Sequence, residues 1–259
     1  MNAKFVALAS SLVLLTSCAS KFTRLEGNPK PVRDWKKAAL VEVLVAPPQT
    51  PVFPLVDAAI YSVSQDKVAP QINEIHAGLI DTLTDEMEAA LAKGSALELI
   101  AGKKLAGLEA YRGSGVESKP LETSSTKYPV LHATPGAINL FDVKGKPFTD
   151  AHLDESKPAA EDLSKLATAL QVDGLVIGIV SAPTLGVGMF GLSGNRVSRV
   201  SLYFFDAQGK YLLKAYGQTD PSSGGPAKLD HYEKVIGMAS PLTYEIAKTV
   251  FPGASKKSK

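Results

Sequence analysis

Residues 186 to 191 read GVGMFG, the G-x-G-x-x-G spelling of a loop whose backbone N–H groups cradle a pyrophosphate. That chemistry has a structural requirement. The glycines must leave a strand directly and open a helix, so that the phosphates rest on the positive end of its dipole. Here Ser181-Ala182-Pro183-Thr184 separates the apolar run LVIGIV from the first glycine, and the residues beyond the loop read as another strand. Asp206, the next acidic residue, falls in a hairpin turn and not at the end of a parallel strand. The sequence argues against a nucleotide. Two readings of the loop stay open. It is a pliable link between antiparallel strands, or an apolar tip in which Leu185, Val187, Met189, Phe190 and Leu192 meet a partner protein or a membrane surface.

Nucleophilic and metal chemistry have less support. Ser124 to Lys127 spells S-x-x-K, Ser193 to Asn195 spells S-x-N, and Lys248-Thr249-Val250 approaches K-T-G, in the order used by penicillin-recognising serine enzymes. The first falls in a Ser/Thr-rich loop where a helix start is needed, and it recurs at Ser64 to Lys67. The third lacks its glycine and sits on a helical pattern. His76, His132, His152 and His231 stand at no metal-ligand spacing. His76 reads as a boundary residue beside an apolar helical stripe. Asp230-His231 reads as a solvated helix start, and Asp81 with Asp85 as a solvated helix face. The expectation is a protein that is not an enzyme and holds no metal or cofactor. A net charge of +2, without a basic stripe, argues against nucleic acid.

Cys18 is the only cysteine, so no intramolecular disulfide is available. It follows Met1 to Lys4, with one positive charge, and the apolar run Phe5 to Leu15. That run has the length of a secretory h-region and is too short to span a bilayer, which takes about 20 residues. Leu15-Thr16-Ser17-Cys18 resembles the bacterial lipobox. The resemblance implies cleavage between Ser17 and Cys18, a diacylglyceryl thioether on the Cys18 sulfur and acylation of the new amino terminus. Two or three acyl chains make a stable anchor, at about 0.8 kcal/mol per buried methylene. Ala19 stands where an aspartate commonly marks inner-membrane retention, which favours the outer membrane. Residues 18–37 then read as a lipidated tether carrying Lys21, Arg24, Lys30, Arg33, Lys36 and Lys37 against Glu26 and Asp34. They are either a solvated linker or a basic stretch lying on anionic head groups.

The residues beyond the tether must supply the scaffold. AALVEVLVAPP (38–48) reads as a strand covered on both faces, with Val41, Val43 and Val45 on one and Leu40 and Leu44 on the other. Residues 49–70 read as a Pro-rich loop. Gln71 to Lys93 takes helical spacing through Ile72, Ile75, Leu79, Leu83, Met87 and Leu91, closed by Gly94. A short strand (96–100) and a short helix (103–111) follow. Residues 112–158 read as a long insertion with a hairpin around 138–148. Next come a helix (158–171), strands at 174–180 and 196–205, and a turn at Asp206 to Gly209. The last elements are a strand (210–218), a helix from about Leu229 to Val250 that Pro241 kinks or restarts with Ser240 as cap, and a basic tail (253–259). This order predicts an α+β fold: one domain over 38–252 with a single mixed sheet, helices packed on it, a β-hairpin and a C-terminal helix.

The order and the quoted strands resemble a group of periplasmic proteins. These are the curli-secretion channel lipoproteins, the outer-membrane lipoprotein activators of penicillin-binding proteins, and the N-terminal domain of the Tol translocation β-propeller protein. The resemblance rests on AALVEVLVAPP, the long helix, ALELI, VDGLVIGIV, SLYFFDAQGKYL and the C-terminal helix. It implies a non-enzymatic lipoprotein, held to the outer membrane by acylated Cys18 and facing the periplasm, that docks an envelope protein. The alternative is a subunit of an outer-membrane channel or secretion assembly.

Overall fold

AALVEVLV contains one polar side chain, Glu42, and the strand it forms, β2 (Lys37–Val45), is buried at every residue after Lys37. The computed structural model describes residues 22–46, 56–121, 130–142, 157–182, 184–187, 194–220, 222–224, 233–234 and 236–253. Ahead of β2 come β1 (Phe22–Gly27) and the short α1 (Lys30–Arg33); after it come α2 (Val56–Ser95), β3 (Glu98–Ala101), α3 (Gly102–Gly107) and α4 (Glu109–Arg112). The second half holds β4 (His132–Ala133), α5 (Ala160–Leu170), β5 (Gly174–Ser181), β6 (Thr184–Val187) and β7 (Gly194–Arg196). It ends with β8 (Arg199–Asp206), β9 (Tyr211–Gln218), β10 (Ser222–Gly224) and α6 (Ala239–Val250).

Seven strands make one mixed sheet in the order β1-β9-β8-β5-β2-β3, with β4 paired to β2. β2 lies parallel to β3 and β5, whereas β5-β8-β9-β1 run antiparallel. The expected α+β architecture is therefore present. One face carries α2 and α6 over Leu40, Val43, Val45, Val176 and Phe204. The other carries α3, α4, α5 and residues 131–141 over Val41, Leu44, Leu175, Ile177 and Phe205. The expected grouping of Val41 with Val43 and Val45 fails for a local reason. The register between β2 and β5 shifts between Leu40 and Glu42, a β-bulge that makes Val41 an extra residue and turns it to the other face.

The tether reading of 18–37 is corrected from Phe22 onward. FTRLEG pairs residue for residue with β9 as an edge strand, from Phe22 opposite Gln218 to Gly27 opposite Leu213. Val32 is fully buried, and the Trp35 ring packs on Phe204 with centroids 6.0 Å apart. Arg33 Nε donates to the Val250 carbonyl at 2.9 Å, satisfying the end of α6, and Arg24 sits 3.6 Å from Glu26. Asp173 fastens the start of β2 to that of β5, accepting from the Lys36 and Lys37 amides at 2.7 and 2.9 Å. Those two N–H groups hold its carboxyl below the usual range.

Other boundaries move for physical reasons. The loop expected over 49–70 is helical from Val56, and Pro70 lies within α2. Gly94 does not end that helix. A Cβ there would meet Ala247 of α6, so the glycine permits close helix approach, and the left-handed residue after the helix is Ala96 at φ 58°. The last helix does restart near Pro241, with Met238 at the cap position and no side-chain cap from Ser240. In the expected insertion, Leu131, Leu140 and Phe141 are buried against the sheet. Residues 138–142 form no strand, and 143–150, with the expected Lys144-Gly145 turn, lie outside the described residues.

A Cβ on Gly174 would strike the Trp35 ring and the Phe205 carbonyl. Gly174→Ala is therefore expected to lower unfolding free energy by about 1–3 kcal/mol, read as a lower denaturant midpoint at unchanged slope. A variant as stable as the parent would show that Trp35 does not close over this position.

Candidate functional site

Cys18, Ser17, Met189, Phe190 and Leu192, the residues singled out for acylation, cleavage and partner contact, lie outside the described residues, as do His152 and His231. The strands flanking the glycine loop are described. β6 and β7 pair antiparallel, and residues 188–193 between them lie outside the described residues.

The described residues instead bring together two polar groups that the sequence did not mark as related, one on each side of β2. On the α2 side, His76 is fully buried, not a boundary residue. Its ring meets the edge of the His132 ring with centroids 5.5 Å apart. β4 places His132 there by pairing His132 with Val45 and Ala133 with Leu44. Asn73 Oδ1 accepts from the Val130 amide at 2.8 Å. Next in line, Thr134 Oγ1 receives the Val43 amide at 3.2 Å and lies 3.1 Å from Thr84 Oγ1 on α2. Burial, with His132 beside it, pushes the His76 imidazole down from 6.5 to about 3, against a backbone hydrogen bond at Val130. Burial also lowers His132. Burial thus disfavours the charged form of both rings.

On the other side the bulge presents Glu42, 1% exposed. Its Oε2 accepts from the Leu140 amide at 3.3 Å, and its Oε1 has no partner among the described residues. Burial raises its pKa from 4.5 to about 8, against the Leu140 hydrogen bond. The Tyr111 hydroxyl lies on the same face. It accepts from the Ile138 amide at 2.6 Å, and burial pushes it up to about 12. Asn139 binds the segment to itself, donating to the Lys119 and Phe141 carbonyls at 2.9 and 3.0 Å.

A neutral carboxyl and a neutral imidazole can in principle act as acid and base, but here each is sealed from solvent and the sheet lies between them. What the arrangement does is fix residues 130–142 onto β2. The sequence did contain signals. Glu42 is the lone acid in an apolar strand, and His76 stands four residues from both Ile72 and Ile80, on the buried stripe. The link to His132 had none, because it depends on the pairing of β4. Among the described residues there is no group of three or more His, Cys, Asp or Glu side chains able to hold a metal.

No family model matches the chain, and no curated protein matches it. Solved structures of the PelC dodecamer from Paraburkholderia phytofirmans are similar over most of both chains. One, in space group P6, is 12% identical over 89% of this chain and 96% of that chain, with a TM-score of 0.32. A single-substitution variant in space group C2 is 13% identical over 89% and 98%, with a TM-score of 0.33. Scores this far below 0.5 do not establish a shared role.

Glu42 and His76 give stability opposite pH slopes. Glu42 stays protonated when folded while the unfolded chain ionises above 4.5, so its contribution is present below 4.5 and lost as pH rises toward 8. His76 stays neutral when folded while the unfolded chain protonates below 6.5, so its contribution is present above 6.5 and lost as pH falls toward 3. Between 4.5 and 6.5 the slopes cancel. From 6.5 to 8 the Glu42 slope, about 1.4 kcal/mol per pH unit, acts alone. Denaturant midpoints across this range are expected to fall for the parent and to stay level for Glu42→Gln.

Proposed function

We propose that this chain is a non-enzymatic lipoprotein of the bacterial envelope, anchored by acylated Cys18 to the outer membrane, facing the periplasm and docking a partner protein there. The observation that carries the reading is Leu15-Thr16-Ser17-Cys18, placed directly after a charged start and an apolar run, with the chain's single cysteine at the acceptor position. A structural role for the body is supported by two strongly shifted side chains among the described residues. Glu42 and His76 are 1% and 0% exposed on opposite faces of one strand, where each fastens a covering segment.

Cys18→Ala tests the anchor. The variant is expected to leave the membrane fraction and to lose the acyl mass that the parent carries on its N-terminal peptide. Retention of both would end the lipoprotein reading. Light scattering of the detergent-extracted parent tests the mode of action. A monomer or small oligomer with a co-purifying envelope protein is expected, and a discrete ring-sized species would replace docking with a channel or secretion-assembly subunit.

A further inference from the structure

We infer that the end of the main sheet where β1 begins is the end apposed to the bilayer, an inference that rests on the acylation of Cys18 proposed above. The argument starts from chain length. β1 begins at Phe22. Four chain steps lie between Cys18 and Phe22, which reach about 14 Å when fully extended. A floppy tether of residues 18–37 would let the body take any orientation. Pairing of β1 with β9 removes that freedom, because the last residue before the fold can lie no further than this from the acylated cysteine.

The register then identifies what lies at that level. Phe22 is opposite Gln218, Gln218 opposite Arg199, and Arg199 opposite Ser181. Val180, one residue earlier, is opposite Val45. One end of five strands is thus held near the lipid. The other end carries Gly27, the turn from Asp206 to Lys210, and Asp173 with the Lys36 and Lys37 amides. Eight residues of β5 separate the two ends, which is about 26 Å of strand.

Two further features lie at the near end. β6 continues β5, β7 leads into β8 and β10 follows β9. The small sheet β10-β7-β6 repeats the order β9-β8-β5, so it adjoins the three central strands at this end of the main sheet. Thr219 holds one junction, with its amide donating to the Ser198 carbonyl at 3.0 Å and its Oγ1 accepting from the Ser198 amide at 3.0 Å. α2 runs the same way. His76 marks the level of Val45 through His132, and the helix starts twenty residues earlier, at Val56, ~30 Å away at helical rise, with Ala69 and Ile72 still buried. Among the described residues, the small sheet and the start of α2 lie on the side where the anchor must be. The occupant facing them is the bilayer that holds the Cys18 acyl chains.

Acylation blocks the only native thiol, so an introduced cysteine is the one free thiol of the mature lipoprotein. Asp220→Cys and Ser222→Cys place a fluorophore at the near end, and Gln208→Cys places one in the far turn. The full-length lipidated proteins are labelled and incorporated in phosphatidylethanolamine–phosphatidylglycerol vesicles containing a nitroxide-bearing lipid. Loss of most emission at 220 and 222, with emission at 208 retained, is expected. Equal quenching at the two ends, or stronger quenching at 208, in protein that carries the acyl mass would overturn the orientation while leaving the anchor intact. If the parent reacts with maleimide at Cys18 and lacks the acyl mass, the anchor reading itself fails and this inference falls with it.

Discussion

Strand β2 must find backbone partners along both edges and apolar cover on both faces, and much of the chain is arranged to supply them. An unpaired amide or carbonyl in such a strand would carry its full desolvation penalty, about 1–3 kcal/mol per group. β5 serves one edge along most of its length. The other edge needs two suppliers, because β3 pairs only with Lys37 to Leu40. Beyond them β4 and the Thr134 hydroxyl take over at Val43 to Val45. Residues 130–142 are therefore part of the sheet's cover and hydrogen bonding, not an ornament on a finished domain.

The bulge at Val41 links that edge to the buried acid. An extra residue breaks the alternation of side chains, so Val41 and Glu42 share a face whose other members are apolar. Glu42 is accommodated there as a neutral acid, held by one amide of the segment that covers it. On the opposite face the buried His76 ring does the corresponding work against His132. Each polar group ties the same stretch of chain to β2 from a different side, which is a role in specificity of packing more than in net stability.

The amino-terminal segment shows the same economy. Its backbone and side chains are tied into the fold although most of its basic residues stay exposed: Arg33 donates to the end of α6, Arg24 lies beside Glu26, and the Lys36 and Lys37 backbone amides bind Asp173. Once β1 is an edge strand, only three residues separate Cys18 from the fold.

Periodicity in the sequence was enough for the elements that bury a stripe or a whole strand. The helical spacing from Ile72 to Leu91, the run GLVIGIV and the Asp206–Gly209 turn each state their structure locally, since burial and turn chemistry act over a few residues. The lipobox resemblance is local too, and it alone points to the envelope. Tertiary structure decided what depends on distant partners. FTRLEG is a strand because β9 offers an open edge 185 or more residues away in sequence, as between Glu26 and Tyr211. Gly94 is a contact with Ala247, not a stop, because two helices cross there. His76 is buried because β4 brings His132 against it. No window of sequence carries these facts, because each arises when a surface left by one segment is covered by another.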